Sequence, residues 1–179
     1  MTILKMSEFP NLNKISHLIV TFFGVGLLPM APGTWGSVAA FILFCLFVYV
    51  QLSYFLFFLI FLGLTVVAII TCNLATTELS EKDHKTIVID EVAGAWLSFL
   101  FLPLLGVYDF ALDQWEKESF IAAIILIIFF RFFDILKPHP ISFVDQKFKS
   151  GFGVVLDDLI AGVFAGLTLL GGNFFIQFF

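Results

Sequence analysis

Five carboxylates stand at the mouths of apolar stretches: Asp90-Glu91, Asp134 and Asp157-Asp158. Arg131, Asp134 and Lys137 recur every three residues, which places them along one helical stripe within reach of one another. Asp145 and Gly151-Phe-Gly153 follow. Upstream, Asp83-His84 precede Asp90-Glu91, and Pro32-Gly33-Thr34-Trp35-Gly36-Ser37 combines two glycines with two hydroxyls. A charged residue at membrane depth costs about 2.5–3.5 kcal/mol on insertion scales, less near helix ends. Five acids entering apolar helices therefore call for a function. Carboxylates, a few cations and Gly/hydroxyl segments are what a Mg²⁺-assisted phosphate reaction needs, because Mg²⁺ takes carboxylate and phosphate oxygens and keeps several waters.

Each group also has a structural account. Thr34 or Ser37 suits the N-cap of a following helix. Asp90 and Glu91 suit the positive end of a helix dipole, and His84 alone suits a surface loop. Arg131, Asp134 and Lys137 suit an ion-pair ladder at a membrane surface, which leaves Asp157 and Asp158 without a cation. Several competing chemistries are absent. The glycine-rich segment lacks the Lys-Ser/Thr ending of a P-loop. Neither Cys45 nor Cys72 is followed by the arginine of a cysteine phosphatase, since Gln51 and Glu78 stand there. No Asp-x-Asp nucleophile pair occurs, nor the CDP-alcohol phosphotransferase pattern, and one arginine is too few for a histidine-based lipid phosphatase. A metal-carboxylate mechanism is the simplest enzymatic account.

The elements that must position these residues follow from composition. The 179 residues are 60% hydrophobic and only 13% charged, with a mean hydropathy of +1.06. A soluble domain of this length cannot bury so much apolar surface. No Asp, Glu, Lys or Arg occurs from Ile15 to Thr77, from Val92 to Tyr108 or from Leu159 to Phe179, and about 20 apolar residues span a bilayer as a helix. The expected fold is therefore an all-α, polytopic membrane helical bundle. Helices are expected at Ser37–Val50, Tyr54–Ala75, Asp90–Leu105, Ser119–Leu136 and from Leu156 onward, the last breaking near Gly171-Gly172. A polar loop is expected at 29–37, and a loop or short interfacial helix from Ile141 to Gly153. Residues 1–16 read as an N-terminal interfacial segment before a single membrane domain, 17–179. Residues 17–28 are too short to span and read as re-entrant or interfacial. With alternating helices, loops 29–37, 76–89 and 137–157 share a side with Lys82, Lys85, Arg131, Lys137, Lys147 and Lys149, against Lys117 opposite. The positive-inside rule makes that side cytoplasmic. A net charge of −5 with one arginine excludes a nucleic-acid binder, and both cysteines lie in apolar runs, so no disulfide or thiolate metal site is implied.

From Gly24 to Gly166 the chain resembles the phosphatidylglycerophosphatase A family of bacterial membrane enzymes. The resemblance rests on Gly24-Val-Gly26 with Pro32-Gly33-Thr34-Trp-Gly36-Ser37; on Asp83-His84 with Ile87-Val-Ile-Asp90-Glu91; on Arg131-x-x-Asp134-x-x-Lys137-Pro138 with Pro140 and Asp145; and on Gly151-x-Gly153 with Asp157-Asp158-x-x-Ala161-Gly162. It implies a Mg²⁺-dependent phosphatase that converts phosphatidylglycerol phosphate to phosphatidylglycerol in the bacterial inner membrane, with its active site facing the cytoplasm. Asp90, Glu91, Asp134, Asp157 and Asp158 are then the candidate metal ligands. Arg131 and Lys137 would neutralise the phosphate, with Gly33, Thr34, Ser37 and Asp145 around the headgroup. Water would attack phosphorus in line, with a carboxylate or His84 taking its proton; a phospho-aspartate is the alternative. A small transporter or ion-binding protein using the same acids is the rival class. Its helix centres should be polar or its halves repeated, and these are neither.

Overall fold

The computed structural model describes residues 9–77, 84–109, 114–148 and 150–178. Its helices are α1 (Ile15–Val20), α2 (Pro32–Tyr49), α3 (Tyr54–Thr76), α4 (Ile89–Phe99), α5 (Glu118–Leu136), α6 (Ile141–Lys147) and α7 (Gly151–Phe178). The expected all-helical membrane fold is observed. Four helices are long and apolar enough to cross a bilayer: α2, α3, α5 and the Gly151–Phe174 part of α7. Each is apolar around most of its circumference, so side chains such as Ile42, Phe55, Ile121 and Phe132 lie exposed on the outside, as lipid contact requires.

The fifth expected membrane helix is shorter than its apolar run. α4 has 11 residues, about 16 Å of rise, and Pro103 then sits in a 3₁₀ turn, Leu102–Leu105. Proline removes a backbone donor and ends the α-helical ladder. The space beyond α4 is closed by a two-strand hairpin, with β1 (Tyr108–Asp109) antiparallel to β2 (Gln114–Trp115). Periodicity gives no sign of strands this short. Trp115 packs edge-on against Phe44, and its Nε1 donates to Leu52 O at 2.8 Å. The Tyr54 hydroxyl donates to Leu100 O at 3.0 Å. Tyr108 and Trp115 are thereby buried against the bundle, while Gln114 is exposed.

Other boundaries also differ from expectation. α2 starts at Pro32 rather than Ser37, so the glycine-rich segment is the helix's first turns and not a loop before it. Proline at the first helical position presets φ for this start. Neither Thr34 nor Ser37 is the cap; Ala31 occupies that position with φ 50°. α7 starts at Gly151 rather than Leu156 and continues through Gly171-Gly172 unbroken. Residues 17–28 are not one continuous element: α1 ends at Val20, and Phe22, Phe23 and Gly24 turn the chain with positive φ. Asp83, most of the charged loop 76–85 and residues 1–8 of the N-terminal segment lie outside the described residues.

Packing concentrates on α4, which sits amid α2, α5 and α7. Its Trp96 Nε1 donates to Ala40 O of α2 at 3.0 Å. Gly94 and Gly162 let α4 and α7 cross with their backbones in contact, because a Cβ on Gly162 would collide with Gly94 O and one on Gly94 would lie 2.6 Å from Asp158 O. Small residues permit this close approach between membrane helices. Buried Phe44, Phe57, Phe99 and Phe130 fill the centre. Running the chain through the bundle brings the N-termini of α2, α4 and α7 and the C-termini of α3 and α5 to one end.

Candidate active site

The shared helix end collects the charged residues. Asp90 and Glu91 occupy the first turn of α4, where the helix dipole favours carboxylates. The backbone N–H of Glu91 donates to Asp90 Oδ1 at 3.1 Å. Asp158 enters from the second turn of α7, positioned by the Gly94–Gly162 crossing. Ligand oxygens of Asp90, Glu91 and Asp158 all lie within 4.8 Å of one another. Three carboxylates held so close repel, and Asp90 and Asp158 are only 5% and 4% exposed. Glu91 Oε2 and Asp158 Oδ2 are buried and accept no hydrogen bond. Orphaned acceptors of this kind in a low-dielectric site are costly. A hard divalent cation with oxygen preference, such as Mg²⁺, would satisfy them, so the donor set fits a metal.

The other two predicted ligands face cations. Asp134 Oδ2 lies 2.6 Å from Arg131 Nη1, one helical turn away on α5. Arg131 Nη1 also lies 3.9 Å from Glu91 Oε1, linking the α5 ladder to the acidic trio. Arg131 Nε is buried without an acceptor, which leaves the guanidinium donor capacity. Asp157 Oδ2 lies 2.7 Å from Lys137 Nζ, and Asp145 of α6 lies 3.1 Å from the same ammonium. Burial lowers the Lys137 pKa, but the hydrogen bonds and charges of Asp157 and Asp145 outweigh it and hold Lys137 above the ordinary lysine range. Lys137 itself takes the left-handed conformation, φ 43°, as the C-cap that turns the chain from α5 toward α6.

The glycine-rich start of α2 closes the site from its remaining side. A Cβ on Gly33 would collide with Glu91 Oε1 and come within 3.0 and 3.1 Å of the two Arg131 Nη atoms. A Cβ on Gly36 would lie 3.1 Å from Val88 and 3.4 Å from Glu91 Cβ. Ser37 is fully buried and donates to Gly33 O at 3.1 Å, so its proton is committed inside α2. Thr34 is exposed on the first turn. His84 stands apart: its Nδ1 is 2.8 Å from Thr86 Oγ1 and its ring packs on Phe9, so its described contacts are not to the carboxylates.

Two further positioning residues, Gly94 and Asn73, have only weak sequence signals, and Gly36 of the glycine-rich segment acts inside a helix rather than in a loop. Gly36 and Gly94 make the close approaches, and a glycine inside a helix, costly by about 0.5–1 kcal/mol relative to alanine, is the signal that marks them. Asn73 of α3 accepts the Phe152 N–H at 3.3 Å and touches Gly151, anchoring the start of α7. An asparagine near the end of an apolar helix is its only sign.

A family model described as phosphatidylglycerophosphatase A matches residues 18–173. The phosphatidylglycerophosphatase A of Haemophilus influenzae is 37% identical over 170 residues, covering 92% of this chain and 95% of that protein. The Escherichia coli protein of the same name is 32% identical over 158 residues, 88% of this chain and 83% of its own. A Bacteroides thetaiotaomicron protein named "Putative phosphatidylinositol-3-phosphatase" is 35% identical over 159 residues, with 85% and 89% coverage. No solved structure matches the chain. The multi-pass apolar helices, the acidic trio with its neighbouring cations and these full-length likenesses agree, and the chain belongs to the phosphatidylglycerophosphatase A family of membrane phosphatases.

Proposed function

We propose that this protein is a Mg²⁺-dependent phosphatase that removes the terminal phosphate of phosphatidylglycerol phosphate at the cytoplasmic membrane face, releasing phosphatidylglycerol and inorganic phosphate. The observation that carries the reading is the trio Asp90, Glu91 and Asp158, converging within 4.8 Å beside Arg131 at the ends of membrane helices. That is headgroup depth, where a lipid phosphate arrives by lateral diffusion while its tails stay among the apolar helix faces. Both Haemophilus influenzae and Escherichia coli relatives carry the matching name. The same helix end carries Lys85, Arg131, Lys137 and Lys147, which supports a cytoplasmic orientation.

In this reading Asp90, Glu91 and Asp158 hold the metal. Mg²⁺ bound there would supply charge neutralisation at the phosphate oxygens and acidify a water nucleophile. Arg131 offers its spare donor to a phosphate oxygen, and Thr34, exposed on the first turn of α2 next to Gly33, offers a hydroxyl. Asp134 orients Arg131. Lys137, already shared by Asp157 and Asp145, tethers α5, α6 and α7 and keeps positive charge at the rim. Asp157, hydrogen-bonded to Lys137 at 2.7 Å and next in sequence to Asp158, is the carboxylate that would accept the proton of the attacking water. His84 is the weaker proton acceptor, because its ring is engaged by Thr86 and Phe9.

A second lipid monoester has one observation in its favour, the phosphatidylinositol-3-phosphatase name of the Bacteroides thetaiotaomicron relative. Parallel assays of phosphate release from phosphatidylglycerol phosphate and from phosphatidylinositol 3-phosphate in mixed micelles with Mg²⁺ separate the two. The reading expects the first to have the higher kcat/KM. A higher value for the second would reassign the substrate. Equal lack of turnover would refute a lipid phosphatase.

A further inference from the structure

On the flank of α2 below the charged end lies a groove of about 370 Å³, walled by Phe22, Phe23 and Val25 on one side and by Ala39, Ile42 and Leu43 on the other. Its volume falls in the range of small-molecule sites, roughly 300–1,000 Å³. Its walls carry no charge. Two observations set it apart from ordinary lipid-facing surface.

The first is the backbone that builds it. Phe22, Phe23 and Gly24 take successive positive φ values of 46°, 57° and 92°. Two adjacent phenylalanines in the left-handed region are strained, and such strain persists only where the surroundings enforce it. Here Phe23 N–H donates to Leu18 O at 2.8 Å, Gly26 N–H donates to Thr21 O at 2.9 Å, and Gly26 presses on the Thr86 carbonyl. The turn holds Phe22 against the core clusters and leaves Phe23 71% exposed, with the two rings 5.9 Å apart. A simple connection needs no such wall.

The second is continuity with the charged site. Gly36, Ala39 and Leu43 lie on one stripe of α2, and Gly36 is in contact with Val88 and the Glu91 side chain. Ala39 and Leu43 sit about 9 and 15 Å along the helix axis from Gly33. The α2 wall of the groove thus begins one turn beyond the residue that meets Glu91 and continues along the helix away from the charged end.

We infer that this groove seats one fatty-acyl chain of the lipid substrate while its phosphate monoester lies at Glu91 and Arg131. The inference rests on the lipid-phosphatase reading and adds the site that recognises the tail. A headgroup glycerol, a phosphodiester and the backbone glycerol separate the terminal phosphate from the acyl chains. The groove starts at a corresponding distance below Gly33.

Two measurements test it. In the first, wild type and Ala39→Phe, which fills the groove, are compared on long-chain and dihexanoyl phosphatidylglycerol phosphate in micelles. The ratio of kcat/KM for the long-chain over the short-chain lipid should fall about tenfold in the variant, the scale of excluding a few methylenes from a shaped pocket. The second needs only wild type, so a variant that fails to fold leaves the question decidable. Phosphatidylglycerol phosphate with a diazirine on one acyl chain should label residues 22–43 well above phosphatidylcholine carrying the same group. An unchanged ratio, or equal labelling by the two lipids, overturns the inference and marks the groove as ordinary lipid contact. If wild type hydrolyses neither chain length, the phosphatase reading itself fails and takes the groove with it.

Discussion

Gly33→Ala separates the geometry of the site from the stability of the fold. A Cβ at Gly33 would stand well inside van der Waals contact with Glu91 Oε1 and within 3.0–3.1 Å of the Arg131 guanidinium. Restoring a normal separation of about 3.5 Å moves the carboxylate by about 1 Å and the guanidinium by about half that. Both groups are ends of flexible side chains, so they yield and the helices stay where they are. Alanine also gains about 0.5–1 kcal/mol over glycine within a helix. A displacement of about 1 Å at reacting groups costs about 10²-fold in rate, or about 2.7 kcal/mol of barrier. The variant should therefore unfold at or slightly above the wild-type temperature in the same detergent, while kcat for phosphate release falls about 100-fold. Activity within about twofold of wild type would show that the approach of α2 to Glu91 and Arg131 does not shape the site. A large drop in unfolding temperature would show that the clash is taken up by the backbone instead.

Three further expectations follow from the same contacts. Mg²⁺ should raise the unfolding temperature of wild type by about 5 °C or more near 100 times its Kd, and Asp158→Asn should lose most of that rise; an equal rise in both would place the metal elsewhere. Gly162→Ala forces a methyl into the Gly94 carbonyl and should cost about 1–3 kcal/mol in detergent unfolding, whereas Gly171→Ala, with open space around it, should be neutral. Lys137→Met strands Asp157, which is 6% exposed in its side chain, and should cost about 2–3 kcal/mol, of which Lys137→Met/Asp157→Asn recovers at least half. Because the folded pKa of Lys137 is raised, the lysine's contribution is complete below about pH 10 and fades only above that, so a Lys137 ammonium that loses its proton below about pH 10 would contradict the assignment.

The charged residues and the membrane class were legible because charge is so scarce: any acid or cation that interrupts an apolar run is visible. Which acid meets which partner was not. Asp157 and Asp158 are neighbours in sequence but about 100° apart around α7. One therefore reaches Lys137 and the other joins Asp90 and Glu91, and only the packing of α7 on α4 decides which does which. The same holds for Asp134, which pairs locally with Arg131, as a spacing of three allows. Helix starts at Pro32 and Gly151 were misjudged because glycines and a proline read as loop, whereas here they make the first turns that lie closest to the site and to α3. The hairpin at Tyr108 and Trp115 fills the space beyond a helix shorter than its hydrophobic run, a tertiary demand with no local pattern.

Phosphate release from phosphatidylglycerol phosphate by the purified protein, followed across a Mg²⁺ titration beside Asp158→Asn, bears most directly on the central claim. The account expects turnover in wild type that EDTA abolishes and Mg²⁺ restores, and a loss of about 10²-fold or more in the variant at any Mg²⁺ concentration. Release that persists in EDTA, or a variant as active as wild type, would contradict it.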